Sequence, residues 1–582
     1  MTSAPTSTST STASASKPRR PTHDVANQPP PLADHDIAAA DQGLLTAISE
    51  YGAGWVGPAL RELGVEAGSA QVMELARLAN AHSPVLRTHD RYGNRIDEVE
   101  FHPAWHQLMT TAVRSGLHAA PWTDDKPAPH VARAAKFYVW SQTESGHGCP
   151  ISMTYAVVPA LRHAPELAAR FEPLLAARAY DPGLRPPQNK AGLLAGMAMT
   201  EKQGGSDVRA NTTRAEPAGD GSYLITGHKW FCSAPMCDLF LILAQAPGGL
   251  TCFLLPRVLP DGSRNRMHIQ RLKDKLGNRS NASSEVEYDQ AVAWQVGEQG
   301  RGVATIIEMV SATRLDCVLG SAACMRQAVV EATHHALHRS AFGTALADQP
   351  AMAAVLADLS LESEAATAVA FRLAAAADRA GRGDAAEAAL LRLLLPAAKH
   401  WVCKRTPLVV GEALECLGGN GYVEESVLPR LYRDAPLNSI WEGSGNVTAL
   451  DLLRALVRSP GSVEALRAEL GQVAGADPRL DAATQRLWGT LAEIAADPGT
   501  GPYQARALAG LLTVVTQAAL LARYAPAPVS DAFCASRLAG LSPPSGPGAS
   551  IRPLGPGVTF GTLPPGLDLA AISGRTKPVF AR

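Results

Sequence analysis

The sequence has almost no net charge: 53 Lys and Arg residues face 54 Asp and Glu residues, leaving −1 at pH 7. This balance excludes a whole-molecule field that attracts nucleic acid or membrane, so any polyanion site must be a local patch. The nine cysteines are scattered, odd in number and form no Cys-x-x-Cys pair. Such a pattern argues against a disulfide framework or a zinc site. We therefore expect no metal and a reducing, cytoplasmic location.

Long apolar runs are also scarce. The first twenty residues lack the apolar core of a secretory signal. Near the C-terminus the longest apolar stretch, 507–522, is short for a membrane span and contains Thr513, Thr516 and Gln517. A helix buried in protein is the better interpretation, and we expect no membrane partner.

A chain of 582 residues is expected to form several packed units, and its texture changes along its length. Ala- and Leu-rich segments with helical spacing occupy both sides of a central region of short, β-prone segments separated by Gly, Asn and Asp. The last forty or so residues are rich in Pro and Gly, which we expect to prevent a helix. The pattern predicts a disordered tail, an N-terminal helical domain, a β-domain, a helical bundle, an extra helical domain and a second tail, at 1–35, 36–190, 191–298, 299–458, 459–540 and 541–582.

One carboxylate stands out because it lies between bulky apolar residues and a short Gly/Ser turn. Glu442 follows Trp441 and precedes Gly443 and Ser444. A carboxylate flanked in this way loses solvent, which raises its pKa and makes it a usable general base. The motif by itself is also consistent with a packed Trp441 ring beside a solvated Glu442.

Two glycine turns and two aromatic stretches have similar double interpretations. The turns at 200–208 and 418–422 are able to cradle a phosphate or the polar edge of a ring, or are an ordinary loop and a helix C-cap. The pair Trp230-Phe231 forms a cofactor wall or simply faces core and solvent. Arg339 and Phe342 either bind a phosphate and stack on a nucleobase, or they lie at a helix C-terminus, where a positive charge is favourable. The polar loop 273–281 is typical of a solvated turn.

The order of these motifs resembles the acyl-CoA dehydrogenase superfamily over residues 190–455. Several spellings, including 199–208 and 272–283, resemble the AidB proteins of the bacterial response to DNA alkylation over residues 25–540. The resemblance implies a mainly α fold with an N-terminal helical domain, a middle β-barrel, a C-terminal helical bundle and an extra C-terminal helical domain. It also implies FAD as cofactor, and Glu442 as the base that removes the α proton of an acyl-CoA thioester.

The resemblance assigns further residues to the cofactor. Thr200, Ser206, Phe231 and Ser233 would line the flavin ring. Three residues of a neighbouring subunit would grip its pyrophosphate and adenine side: Arg339, Phe342 and Gln349. Four further residues would complete the site: Gly418, Gly419, Ser444 and Asn446. Such a shared site implies an oligomer, typically a homotetramer. Arg314 is expected either near the base loop or in a structural salt bridge.

Two functions remain open. The AidB resemblance implies a flavoprotein that binds duplex DNA, with at most weak, isovaleryl-CoA-like dehydrogenase activity. Arg454, Arg458 and Arg537 would then contribute to a phosphate-binding patch. The alternative is a metabolically active acyl-CoA dehydrogenase or oxidase without DNA binding. Trp441 replaces the usual Tyr of the family and would narrow the substrate slot, and Phe231 stands where many relatives have Trp.

Overall fold

A computed structural model describes residues 22–538 and 559–580 of the chain. Helices come first, a β-domain follows, and long helices complete the chain. The predicted fold class, mainly α with a central β-domain and an extra C-terminal helical part, is confirmed. Apolar side chains of both helical parts form one continuous core, and the β-domain forms a second core with two N-terminal helices.

The N-terminal part contains eight helices: α1 Gln42–Glu50, α2 Gly57–Ala67, α3 Ala70–Ala81, α4 Pro103–Arg114, α5 Ala120–Thr123, α6 Pro129–Ser141, α7 Gly148–Leu161 and α8 Pro165–Leu175. It also contains an antiparallel hairpin that the helical prediction for 36–190 missed, β1 Val85–His89 with β2 Arg95–Glu100. Asp90 accepts hydrogen bonds from the amides of Tyr92 and Asn94 and so shapes the turn between these strands. The strands bury few side chains, which is why no apolar alternation marks them.

Seven strands make the middle domain: β3 Ala195–Ala198, β4 Arg214–Pro217, β5 Tyr223–Ser233, β6 Leu239–Ala246, β7 Gly249–Pro256, β8 Met267–Leu272 and β9 Ser283–Val296. Strands β6 and β7 pair from Ala246↔Gly249 onward across a two-residue Pro-Gly turn. Pairings of β7 with β9, β9 with β5, β5 with β4 and β4 with β6 close the sheet into a ring. Because β6 and β7 are almost wholly buried, they are continuous apolar runs.

Among its described residues the C-terminal part contains eleven α-helices: α9 Gly302–His338, α10 Pro350–Gly381, α11 Ala385–Cys416, α12 Gly419–Tyr422, α13 Leu428–Asp434, α14 Gly445–Arg458, α15 Ser462–Gly471, α16 Pro478–Ala496, α17 Gly501–Tyr524, α18 Ala527–Phe533 and α19 Leu569–Ser573. A small hairpin, β10 Ser340–Ala341 with β11 Thr344–Ala345, separates α9 from α10. Within the described residues α17 alone is long and apolar enough to cross a membrane, and 83% of its apolar window is buried in the protein.

The chain ends differ from the two predicted tails where they are described. Leu32 is buried, and His35 forms a β-bridge with Phe580. The C-terminal prediction is wrong for 559–580, because the short helix α19 buries Ile572, and Arg575 bonds to Glu364 of α10. Tertiary contacts stabilise this helix despite the Pro/Gly-rich composition. Residues 1–21 and 539–558 lie outside the described part of the chain.

Candidate functional site

A cavity of about 620 Å³ lies where the N-terminal helices, the β-domain and the C-terminal bundle meet. Met153 of α7, Phe231 of β5 and Val310 of α9 are among its apolar lining. Glu442 lies in its wall on the loop between α13 and α14. Each of the three structural units thus contributes a surface to one cavity.

The loop that carries Glu442 has an unusual backbone. Glu442 has φ 57° and Gly443 has φ 97°, so two successive residues lie in the left-handed region. A non-glycine residue there costs on the order of 1 kcal/mol and is typical of functional sites. The buried Lys399 compensates: its Nζ donates to the carbonyl oxygens of Asn438 at 2.9 Å, Trp441 at 2.8 Å and Gly443 at 2.8 Å.

The Glu442 carboxylate is directed toward α9. Thr313 Oγ1 donates to Glu442 Oε2 at 2.7 Å, and Arg314 Nε donates to the Glu442 carbonyl oxygen at 2.8 Å. Burial raises the pKa of Glu442 above its ordinary value, while the hydrogen bond from Thr313 and the charges of Lys399 and Arg314 act in the opposite direction. The result is a carboxylate with the raised pKa of a candidate general base.

Arg314 satisfies both interpretations made from the sequence. It bonds to the Glu442 carbonyl, and its Nη1 donates to Asp451 Oδ2 of α14 at 2.7 Å. Asp451 also accepts a hydrogen bond from Arg392 of α11. The salt bridge therefore fixes the arginine that supports the base loop.

Thr313 and Lys399 are functional residues that the sequence reasoning missed. Both lie within long Ala- and Leu-rich helices, 129 and 43 positions from Glu442, and no local motif marks them. The one available signal was that Thr313 directly precedes Arg314, which was expected near the base loop.

The β-domain supplies another part of the cavity wall. Thr200, Ser206, Phe231 and Ser233 all line the cavity, and the Phe231 side chain is 49% exposed. Below them, buried Glu201 accepts hydrogen bonds from Lys229 Nζ at 2.8 Å and from Thr213 Oγ1 at 2.6 Å, which anchors the glycine turn. An uncovered aromatic face beside three hydroxyl groups fits a flat, largely apolar ring with polar edges, which is the chemistry of an isoalloxazine.

The remaining predicted cofactor residues are not brought together with this wall. Ser444 lines the cavity, but the Asn446 side chain accepts a hydrogen bond from Arg506 of α17. Phe342 is 100% exposed at the tip of the β10–β11 hairpin, where its φ is 54°. Gly418 and Gly419 are exposed, and Arg339 and Gln349 are partly exposed. None of these four residues lines the cavity. The assignment of Arg339, Phe342 and Gln349 to a neighbouring subunit's cofactor stays a prediction, as does the role of Gly418 and Gly419 in completing the site.

The polar loop 273–281 is not a solvated turn. Asn278, Ser280 and Asn281 are buried, and Gly277 approaches the Arg433 carbonyl so closely that an added Cβ would lie 2.4 Å from it. Lys275 Nζ donates to the Asn278 carbonyl at 2.7 Å, and burial lowers the pKa of this lysine to about 8. Composition alone misled here, because several of the loop's polar residues are buried and bonded inside the protein.

The three arginines proposed for DNA contact separate into two groups. Arg454 and Arg458 are exposed on α14. Arg537, by contrast, has a side chain only 10% exposed, bonded to both Asp358 and Glu362 of α10. Its prediction as a phosphate contact is wrong, because its charge is already neutralised by two buried carboxylates.

Models of three protein families match the chain. Residues 27–182 match the adaptive response protein AidB N-terminal domain, 196–291 the acyl-CoA dehydrogenase middle domain, and 300–457 the acyl-CoA dehydrogenase C-terminal domain. The chain is also similar to AidB of Escherichia coli (strain K12), an acyl-CoA dehydrogenase by name. The two are 48% identical over 518 residues, covering 88% of this chain and 94% of that protein.

Two solved structures are similar to the fold. Caenorhabditis elegans ACDH-11 in complex with C11-CoA has a TM-score of 0.79 and 27% identity, covering 90% of this chain and 92% of its own. The acyl-CoA dehydrogenase of Bacillus anthracis complexed with FAD has a TM-score of 0.62 and 18% identity, covering 74% and 80%, and shares the fold alone.

Proposed function

We propose, from the premise that this chain belongs to the acyl-CoA dehydrogenase family and is an AidB-like member of it, that it oxidises an acyl-CoA thioester between the α and β carbons. FAD is its cofactor. The observation that carries the proposal is the position of Glu442, a carboxylate with a raised pKa that lines the same cavity as an aromatic ring and three hydroxyl groups of the β-domain.

The chain's own residues would do the following. Glu442 takes the α proton of the thioester, and Thr313 orients the carboxylate that receives it. The Glu442 amide donates to no acceptor within the described residues, so it is free to bind the thioester carbonyl and stabilise enolate charge. Trp441, whose Nε1 donates to Asn438 Oδ1 at 2.8 Å, narrows the slot and excludes water.

Thr200, Ser206, Phe231 and Ser233 would hold the flavin ring, with Ser444 at its edge. When bound, FAD supplies the oxidant that takes the hydride from the β carbon. We further propose that Arg339, Phe342 and Gln349 grip the pyrophosphate and adenine side of another subunit's cofactor. Gly418, Gly419 and Asn446 would complete the site. Phe342 is fully exposed and so available to such a cofactor, and the shared site would make the protein a homotetramer.

Anaerobic flavin bleaching by a panel of acyl-CoAs tests the reaction. We expect Glu442→Gln to retain FAD and to lose at least about 10²-fold in bleaching rate, as is typical when a general base is removed. Glu308→Gln, an exposed carboxylate on α9 bonded only to His163, is the matched control and should bleach normally. Unchanged bleaching by Glu442→Gln would exclude this residue as the base.

A second candidate function, duplex DNA binding, is supported by a set of cations beside the cavity mouth. Arg454 and Arg458 are exposed on α14, and neither forms an ion pair within the described residues. Lys404 of α11 and Arg506 of α17 lie near each other, and burial followed by repulsion from Arg506 lowers the pKa of Lys404. Cations left without carboxylates suit a phosphate backbone.

Salt titration of duplex DNA binding tests this candidate. The double variant Arg454→Ala/Arg458→Ala should reduce the slope of log affinity against log salt by about two, since each lost phosphate contact removes about 0.9. Arg537→Lys is the control, because its partners are carboxylates inside the protein. An unchanged slope in the double variant would remove these arginines from any DNA interface.

A further inference from the structure

The cavity continues well beyond Glu442, along one face of α9. Its lining takes side chains from that helix at alternating spacings of four and three: Thr313, Cys317, Gly320, Cys324 and Gln327. At 1.5 Å per residue, the fourteen residues from the base contact to Gln327 span about 21 Å. Small side chains along this face leave room for a long acyl chain, so the far end of the cavity is where such a chain would end.

That far end is polar rather than apolar. Arg430 of α13 lines it, and its Nη2 donates to the Thr143 carbonyl at 2.7 Å. Arg430 Nε and Gln327 Oε1 are buried atoms without a hydrogen-bond partner in the described part of the chain. A buried donor and a buried acceptor left in this state each cost about 1–3 kcal/mol unless a ligand or water satisfies them.

Nearby carboxylates do not supply the missing partner, because their oxygens already have donors. The Glu144 carboxylate forms hydrogen bonds with His147 at 2.9 Å and with Ser280 at 2.6 Å. The Asp434 carboxylate accepts hydrogen bonds from the Asn278 backbone amide and from the Ser145 hydroxyl at 2.9 Å. Burial raises the pKa of Glu331, the next acid along α9, to about 8, so it is largely neutral at pH 7. Glu144 and Asp434 attract the Arg430 charge, but no acceptor within the described residues reaches its Nε, which remains an unpaired donor at the end of the cavity.

We propose that the substrate of this site is a long-chain acyl thioester whose distal end carries an oxygen group, a carboxylate or a hydroxyl, which Arg430 and Gln327 bind. A terminal carboxylate would accept from the Arg430 guanidinium. A terminal hydroxyl would accept from Arg430 and donate to Gln327 Oε1. The inference rests on the proposed function, since the thioester end must lie at Glu442.

Matched acyl-CoAs that differ only in their terminal group test the inference on the FAD-loaded protein. Octanoyl-, dodecanoyl- and hexadecanoyl-CoA would be compared with their ω-hydroxy and ω-carboxy forms, with Kd measured anaerobically by perturbation of the flavin spectrum. We expect one chain length at which an oxygenated form binds about ten-fold more tightly than the methyl form, as for a hydrogen bond to a charged group.

Three variants assign the effect to residues. Arg430→Met should abolish the preference while leaving the Kd of the methyl form within about two-fold. Arg433→Met, on the same helix but bonded to exposed Glu424, should keep the preference. Gln327→Leu should lose the preference for hydroxyl and keep that for carboxylate, which preserves the test where Arg430→Met does not fold.

Two outcomes would overturn the inference in different ways. Binding of all forms with equal Kd would mean that ordered water satisfies Arg430 and Gln327, and it would leave the proposed reaction standing. Absence of binding by every thioester would overturn the proposed function together with this inference.

Discussion

Thr313 and Glu442 are 129 residues apart in the chain, yet the threonine hydroxyl donates to the glutamate carboxylate at 2.7 Å. The hydroxyl favours the ionised form of a group whose pKa burial raises. Thr313 thus opposes the desolvation of the base, and its removal should be visible in the pH dependence of the reaction.

We expect Thr313→Val to raise the pKa of Glu442 further, because the ionised form loses a donor. The limb of the pH profile of flavin bleaching that rises with pH should move to higher pH, with a roughly tenfold loss of rate on its acid side. Thr313→Ser keeps the hydroxyl and should restore the wild-type profile. A profile that does not move would show that this hydrogen bond has no influence on the base.

Stability should also depend on Glu442. A raised folded-state pKa means that the unfolded chain releases this proton at lower pH than the folded chain does. The contribution of Glu442 to stability therefore falls as pH rises from its unfolded value, about 4.3, through its folded value. Glu442→Gln should melt at or above the wild-type temperature at pH 7, and the difference should vanish below pH 4. A lower melting temperature at pH 7 would contradict the desolvation argument.

Lys399 should be essential for the shape of the base loop. Its ammonium group binds three carbonyl oxygens, and Lys399→Met would leave all three without that donor. We expect a loss of about 3–5 kcal/mol in unfolding free energy, as for a broken buried charge network, together with loss of bleaching. Lys126→Met, an exposed lysine over Trp55, is the control for chemical denaturation. A loss below about 1 kcal/mol would show that the loop holds its shape without Lys399.

Asn27 connects the N-terminal segment to Arg339 and to the hairpin that follows it. Its Nδ2 donates to the Ser340 carbonyl, its Oδ1 accepts from the Ser340 amide, and its carbonyl accepts from Arg339 Nη1, each at 2.7 Å. If Arg339 grips a cofactor phosphate, Asn27→Ala should weaken FAD binding about three- to ten-fold in a fluorescence titration, since two side-chain hydrogen bonds are lost. His23→Ala, in the same segment, should not. Equal FAD affinity in both variants would separate Asn27 from the cofactor.

Much of the fold could be predicted because local patterns decided it. The apolar runs of β6 and β7 extend over most of each strand, and the Ala- and Leu-rich composition of α9 and α10 continues over 37 and 32 residues. The hairpin β1–β2 and the helix α19 were missed for the opposite reason. The first buries little, and the second depends on Ile572 reaching the bundle rather than on its own composition.

The sequence by itself selected Glu442 as the candidate base and Phe231 as a candidate flavin contact, because both belong to short motifs whose order is specific, and both residues line one cavity. Only the tertiary structure decided what supports and limits them. Thr313, Lys399 and the polar cavity end at Arg430 come from distant helices with no motif of their own. Likewise, Arg537 looked available in the sequence, but two carboxylates from α10 neutralise it in the fold. A side chain's charge is encoded locally, whereas its solvent and its partners are set by packing.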